Sequence, residues 1–231
     1  MTPVNSAPRP GFSSRDRALG IASAWTAFAV NGAYAVASGL GFLSASLPSA
    51  PITDPFLSLM SLLVVLMAPF LVLTMVAVHA YARPEQKSYS LAALAFMVLV
   101  AGITSIINFT LFFVARQPDR AAYPWVMSYL ASGWPPLPFA LDYFTWDWFF
   151  ALAMLFAAPV FSGTTLEKAA RVLMILSAVL CILGLILLPI SPAQGALVGT
   201  LGWGVAGPLV CLLLAGIFTR TRPDPGISPA A

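Results

Sequence analysis

The stretch FLSLMSLLVVLMAPFLVLTMVAVHAYA, residues 56–82, decides the fold of this chain, because it contains no Asp, Glu, Lys or Arg. A helix over these residues is about 40 Å long at a rise of about 1.5 Å per residue, whereas the hydrocarbon core of a bilayer is about 30 Å thick. The stretch therefore predicts a helix that crosses a membrane.

Five further stretches have the same character, so the sequence predicts an all-α, polytopic membrane protein with a bundle of six transmembrane helices. The predicted spans are residues 18–43, 56–82, 89–115, 139–161, 169–190 and 195–219.

The composition of the whole chain agrees with this interpretation. Of its 231 residues, 60% are hydrophobic and only 8% are charged, and the mean hydropathy is +0.91. Soluble domains carry about 25% charged residues, so this chain could not cover a water-facing surface. These values exclude a nucleic-acid-binding protein, a disordered chain and a disulfide-rich secreted domain.

The distribution of basic residues predicts the orientation. If the N-terminus is inside, nine of the eleven Lys and Arg residues face the cytoplasm, and only Arg116 and Arg120 face the other side. The positive-inside rule therefore places both termini in the cytoplasm. Residues 1–17 and 220–231 are rich in Pro, Ser and Arg, and we expect disordered cytosolic ends there. We expect no mitochondrial presequence, and this favours the plasma membrane of a bacterium.

One predicted outer loop is long. Residues 116–138 contain Tyr123, Trp125, Tyr129 and Trp134 and end in a proline-rich turn. Aromatic residues at this depth favour a short helix on the membrane surface over a lid that closes a cavity.

The most unusual segment is LDYFTWDWFF, residues 141–150, which combines two acids with six aromatic residues. Ionisable groups inside a membrane are costly and are candidates for function. On a helix, Asp142 shares a face with Trp146 and Tyr143 shares one with Asp147, while the two acids point in different directions. Asp142 lies near the water boundary, where a helix-capping role is favoured. Asp147 lies deeper, and a functional role is slightly favoured for it.

Polar residues from other spans fall at a depth similar to that of Asp147. They predict an outer-side cavity in which an acid and aromatic rings bind a ligand. Its predicted ligand-binding residues are Asn31, Asn108, Tyr143, Trp146, Trp148 and Trp203. Such polar groups can also serve only as hydrogen bonds between packed helices.

Several kinds of site are excluded by composition. His79 is the single histidine, so a bis-histidine haem or a multi-histidine metal site is not expected. Two separated aspartates do not form the dense acidic cluster that a magnesium-diphosphate site needs. We therefore predict neither a metal nor a cofactor. Gly195, Gly199 and Gly207 share one stripe with Trp203, and this spacing favours a helix-packing seam.

Three functions stay open. The first is transport or sensing of an apolar or cationic lipophilic ligand, with Asp147 supplying charge and the aromatic rings supplying π-faces. The second is an intramembrane enzyme for acid-initiated cyclisation or isomerisation of a lipophilic, isoprenoid-like substrate. In that case Asp147, with Asp142, would be catalytic and a protonated Asp147 would donate the proton. The third is a ligand-free assembly partner of another membrane protein, or of a second copy of the chain.

Overall fold

A computed structural model describes residues 8–44, 54–114 and 137–225 of the chain. Within these ranges the secondary structure is helical, with no β-strand. Six helices are long and apolar enough to cross a membrane, which confirms the predicted number of helices, and each helix boundary lies within four residues of the predicted one. They are α1 (Ser14–Ser44), α2 (Phe56–Tyr81), α3 (Lys87–Val114), α4 (Leu137–Val160), α5 (Thr165–Leu187) and α6 (Pro192–Arg220).

Local chemistry explains where the helices start. Thr164 caps α5, because its hydroxyl oxygen accepts a hydrogen bond of 3.2 Å from the backbone N–H of Glu167. Pro192 stands at the first position of α6, where a missing N–H costs nothing. Pro84 similarly opens the short 3₁₀ turn Pro84–Gln86 that connects α2 to α3.

The helices form a closed ring. Each packs against its neighbours in the chain, and α1 also packs against α6. Short connections make α2 and α3 one hairpin and α5 and α6 another. The interior of the bundle is therefore bounded by all six helices.

The surface of the bundle is apolar. Large side chains such as Ile106, Val172 and Leu197 are 62–70% exposed. The polar residues Ser23, Thr74, Thr104 and Ser177 are instead buried in the interior. Such a distribution suits a protein whose surroundings are lipid, where backbone and side-chain polar groups have to find partners inside the bundle.

Part of each chain end lies among the described residues, at 8–17 and 220–225. In the described parts, α1 already begins at Ser14, and residues 221–225 pack back on the N-terminal segment. Phe12 is fully buried, and the backbone of Asp224 donates to the Phe12 carbonyl at 2.9 Å. The composition of the N-terminal segment is typical of disorder. It does not show that a single aromatic side chain, Phe12, anchors the segment. Residues 1–7 and 226–231, and the aromatic loop 116–136, lie outside the described residues.

The glycine stripe of α6 is a packing seam, as its spacing predicted. A Cβ on Gly195 would lie 2.5 Å from the backbone nitrogen of Leu188, and one on Gly207 would lie 3.0 Å from Phe150. Gly184 of α5 approaches Gly199 so closely that a Cβ on Gly184 would lie 2.5 Å from the Gly199 Cα. The stripe thus brings α6 against α5 and α4.

Candidate functional site

The acid-and-aromatic segment lies on α4, near the middle of the helix. Thr145–Phe150 forms a π-helical segment within α4. The hydroxyl of Thr145 donates to the Leu141 carbonyl at 2.7 Å, a contact that bends helices by competing with the backbone ladder. Wider turns of this kind are frequent at functional sites, because they redirect side chains within a helix.

Asp147 belongs to this π-helical segment and is completely buried. Its carboxyl packs on the Cα of Gly199, since a Cβ on Gly199 would lie 2.7 Å from the Asp147 carboxyl carbon. The Cys181 thiol of α5 is close enough to the same carboxyl to interact with its charge. Asp147 is therefore enclosed at the junction of α4, α5 and α6.

Neither oxygen of the Asp147 carboxyl has a hydrogen-bond partner within the described part of the chain. The described Lys and Arg residues all lie at one end of the bundle, in the ends or connections of the helices. An unpartnered polar group inside a membrane costs several kcal/mol, so chemistry rather than packing is the expected reason for this acid.

Asp142, five residues earlier, has the opposite environment. Its two oxygens accept hydrogen bonds from the Thr104 hydroxyl at 2.6 Å and from the Asn108 amide at 3.3 Å, both on α3. The Trp146 indole donates to the same Thr104 hydroxyl at 3.2 Å. The capping role favoured for Asp142 is thus wrong, because its carboxyl joins α4 to α3 instead of satisfying its own helix terminus. The five-residue spacing correctly predicted that the two acids face different neighbours.

A small cavity lies at the centre of the ring, next to the Asp147 junction. Its volume is about 10 Å³, on the scale of a single water molecule. Asn31 of α1, Trp146 of α4 and Trp203 of α6 are among its lining residues. The Trp146 and Trp203 rings are 5.5 Å apart, and the Trp203 indole N–H, like the Asp147 carboxyl, is buried without a partner in the described residues.

A second π-helical segment, Leu201–Ala206, faces the first one across the bundle interior. It directly precedes Gly207 and Pro208, and a proline ring needs extra room at the preceding turn. The hydroxyl of Ser177 donates to the Gly202 carbonyl at 2.8 Å and so satisfies a backbone group of this segment. Two widened turns therefore meet where the unpartnered carboxyl and indole lie.

The structure brings some of the predicted site residues together and separates others. Asn31, Trp146 and Trp203 share the central cavity, whereas Asp147 lies in the neighbouring junction and does not line it. The remaining predicted residues lie elsewhere. The Asn108 amide donates to Asp142, and the Tyr143 hydroxyl is close enough to both aspartates to interact with their charges. Trp148 is 39% exposed on the bundle surface. The exposure of Trp148 removes it from the cavity, because a single turn of helix cannot aim Trp146, Asp147 and Trp148 inward together.

Sequence reasoning missed three residues of this region. Thr104 connects Asp142 with Trp146, and its spacing of four from Asn108 was the available signal. Tyr34 of α1 lies 6.3 Å from the Trp203 ring. Ser177 looked like an ordinary small residue in an apolar helix, and no pattern marked its contact with α6.

Within the described ranges, no three His, Cys, Asp or Glu side chains are grouped closely enough to share a metal ion. Comparison with family models, curated proteins and solved structures found no match to the chain. Its function therefore has to be inferred from the chemistry of the site.

Proposed function

We propose that this chain binds a lipophilic cation at the Asp147 junction, for transport across the membrane or for sensing, and that the cation and a proton compete for the same carboxyl. The observation that carries this proposal is the Asp147 side chain, which is fully buried and has no partner among the described residues. A cation or a proton would supply the partner that the protein itself does not.

Aromatic rings beside the junction suit such a ligand. Trp146 and Trp203 lie 5.5 Å apart, and Tyr34 contacts Trp203 edge to face. The faces of indole and phenol rings attract a desolvated cation by up to about 2 kcal/mol each. A ligand that combines a positive charge with an apolar body would therefore contact the carboxyl and the rings together.

The central cavity, at about 10 Å³, is closed to anything larger than water. Ligand sites usually measure about 300–1,000 Å³, so binding would require α4 and α6 to move apart. The two facing π-helical segments are where these helices depart from α-helical geometry, and such segments are frequent at functional sites. On this proposal the small cavity widens when the ligand binds.

The two alternative functions have less support. An enzyme acting on a lipophilic substrate would need the same opening of the helices, and Asp142, its second predicted catalytic acid, is already engaged by Thr104 and Asn108. An assembly partner would use the glycine stripe of α6 on its outside. Gly195, Gly199 and Gly207 are instead buried within the chain's own bundle.

The basic residues support a cytoplasmic location for both termini. The backbone of Arg9 donates to the Arg222 carbonyl at 3.0 Å, so both described ends of the chain lie at the same end of the bundle. This is also the end that holds the described Lys and Arg residues. By the positive-inside rule, it would face the cytoplasm.

Equilibrium binding of radiolabelled tetraphenylphosphonium to the purified protein in mild detergent tests the proposal. Asp147→Asn removes the charge and keeps the shape, and Asp142→Asn makes the same change in the partnered acid five residues away. We expect saturable binding that weakens about thirtyfold or more in Asp147→Asn, because a buried charge pair is lost, and less than about threefold in Asp142→Asn.

The pH dependence provides a second readout. Protonation of the binding carboxyl opposes cation binding, so affinity is expected to rise with pH, by up to about tenfold per unit for one exchanged proton. This dependence should disappear in Asp147→Asn. Absence of saturable binding to the wild type, or equal loss in the two variants, would overturn the proposal.

A further inference from the structure

A second, much larger cavity lies at the end of the bundle where both described chain ends meet. Its volume is about 960 Å³, and it is bounded by the N-terminal segment, the α2–α3 turn, the start of α5 and the end of α6. We call it the basic-end cavity. It is distinct from the Asp147 junction, which lies near the middle of α4.

The lining of this cavity carries one more positive than negative side chain. Arg9, Arg83 and Arg220 line it, together with the acids Glu85 and Glu167. The other described basic residues lie at the same end of the bundle, which adds to the positive potential.

The Glu167 carboxyl is already engaged by the protein. One of its oxygens accepts a hydrogen bond of 2.6 Å from the Tyr81 hydroxyl. The other accepts from the backbone N–H groups of Gly163 at 2.6 Å and Ser162 at 3.2 Å. Glu167 is only 5% exposed, so its carboxylate belongs to the cavity wall and is held there by hydrogen bonds within the protein. Glu85 is exposed and is the lining acid that an anion would meet.

Arg9 is held in place before any ligand arrives. Its Nε donates to the Tyr81 carbonyl at 3.0 Å, and its guanidinium carbon lies 4.1 Å from the centre of the Tyr81 ring. The neighbouring Phe12 fixes the segment by packing edge-on against the same ring, at 5.5 Å. A positioned guanidinium loses little entropy when it binds an anion.

From this cavity and its arginines, we propose that the basic-end cavity binds a phosphate group, carried by an anionic phospholipid headgroup or by a soluble phosphate. Guanidinium groups match the geometry of phosphate oxygens, and basic pockets between transmembrane helices at a charged membrane surface suit phosphate-bearing headgroups. A volume of about 960 Å³ accommodates a group of that size.

Two double variants test this proposal. Arg83→Gln with Arg220→Gln removes two charges from the cavity, whereas Arg15→Gln with Arg171→Gln removes two exposed charges from the same end of the bundle outside the cavity lining. The first readout is native mass spectrometry of each protein with dioleoylphosphatidylglycerol, using dioleoylphosphatidylcholine as the reference lipid. The second is calorimetric titration with inorganic phosphate in phosphatidylcholine nanodiscs.

A guanidinium that hydrogen-bonds the phosphate directly contributes a factor of about ten or more to affinity, so the cavity variant, which loses two, is expected to bind about a hundredfold more weakly. The control variant is expected to change by less than about threefold. Loss of phosphatidylglycerol binding alone identifies the lipid headgroup as the ligand, and loss of inorganic phosphate binding identifies a soluble phosphate. Glu85→Gln should strengthen the binding in either case.

Equal losses in the two double variants would overturn the proposal, because they would indicate general attraction by the basic end. Absence of binding of both probes to the wild type would overturn it as well. Thermal unfolding of each variant, followed by tryptophan fluorescence, verifies that the compared proteins are folded.

Discussion

Replacing Asp147 by alanine is expected to stabilise the bundle, whereas the same replacement of Asp142 is expected to destabilise it. The reason is the difference in partners: Asp147 has none among the described residues, and Asp142 accepts hydrogen bonds from Thr104 and Asn108. Both residues lie on α4 and lose the same atoms, so differences in helix propensity and in side-chain size largely cancel.

The magnitudes follow from these environments. Removing a buried, unsatisfied polar group gains about 1–3 kcal/mol. The void left by the carboxyl, roughly 30 Å³, costs about 0.7 kcal/mol. Asp147→Ala should therefore raise the free energy of unfolding by about 1 kcal/mol. Asp142→Ala loses two interhelical hydrogen bonds of about 0.6 kcal/mol each and leaves the same void, a loss of about 2 kcal/mol.

The assay is reversible unfolding in mixed micelles at increasing mole fractions of sodium dodecyl sulfate, followed by tryptophan fluorescence. The two variants should differ by about 3 kcal/mol, with opposite signs relative to the wild type. A loss of 2 kcal/mol or more in Asp147→Ala would refute this reasoning, because it would mean that the carboxyl makes a stabilising contact in the folded protein.

Three further outcomes are expected. Gly199→Ala should destabilise the protein by about 1–3 kcal/mol and weaken tetraphenylphosphonium binding, because its Cβ would overlap the Asp147 carboxyl. Gly32→Ala is the control: no atom lies within 4 Å of its Cβ, so it should be neutral or stabilising in the same assays. Phe12→Ala should detach the buried N-terminal segment, measured as faster trypsin cleavage within the first 17 residues, and unchanged cleavage would contradict its anchoring role. A cysteine introduced as Ser88→Cys, exposed at the basic end, should react with a membrane-impermeant maleimide only after the cells are permeabilised. Labelling of intact cells would place that end outside.

Much of the fold could be predicted because it follows from local sequence. Uninterrupted apolar runs define the six spans, and the short connections of α2–α3 and α5–α6 leave antiparallel packing as the simplest arrangement. The spacing of Asp142 and Asp147 also predicted that they face different neighbours, since this follows from helix geometry alone.

The role of each acid could not be predicted, because it depends on which helix lies opposite. Asp142 looked like a capping residue until Thr104 and Asn108 were placed beside it. Asp147 fits its position only because Gly199, more than fifty residues later, leaves room for the carboxyl. Contacts between distant parts of the chain leave no periodic signal in a single sequence.

The packing of the described segments 8–13 and 221–225 could not be predicted, for a related reason. Composition describes an average over a segment, and the segment before α1 is polar and rich in proline. One side chain, Phe12, packs between Tyr81 and Phe218 and outweighs that average. The same packing positions Arg9 at the basic-end cavity, which the sequence did not indicate.

The most direct test of competition between cation and proton at Asp147 is the number of protons released when tetraphenylphosphonium binds. It is measured with a pH indicator in weakly buffered detergent solution, at a pH where part of the protein is protonated at the binding carboxyl. We expect release of up to one proton per bound cation from the wild type and from Asp142→Asn, and none from Asp147→Asn. Cation binding without proton release at every pH tested, or equal release from Asp147→Asn, would contradict the proposed function.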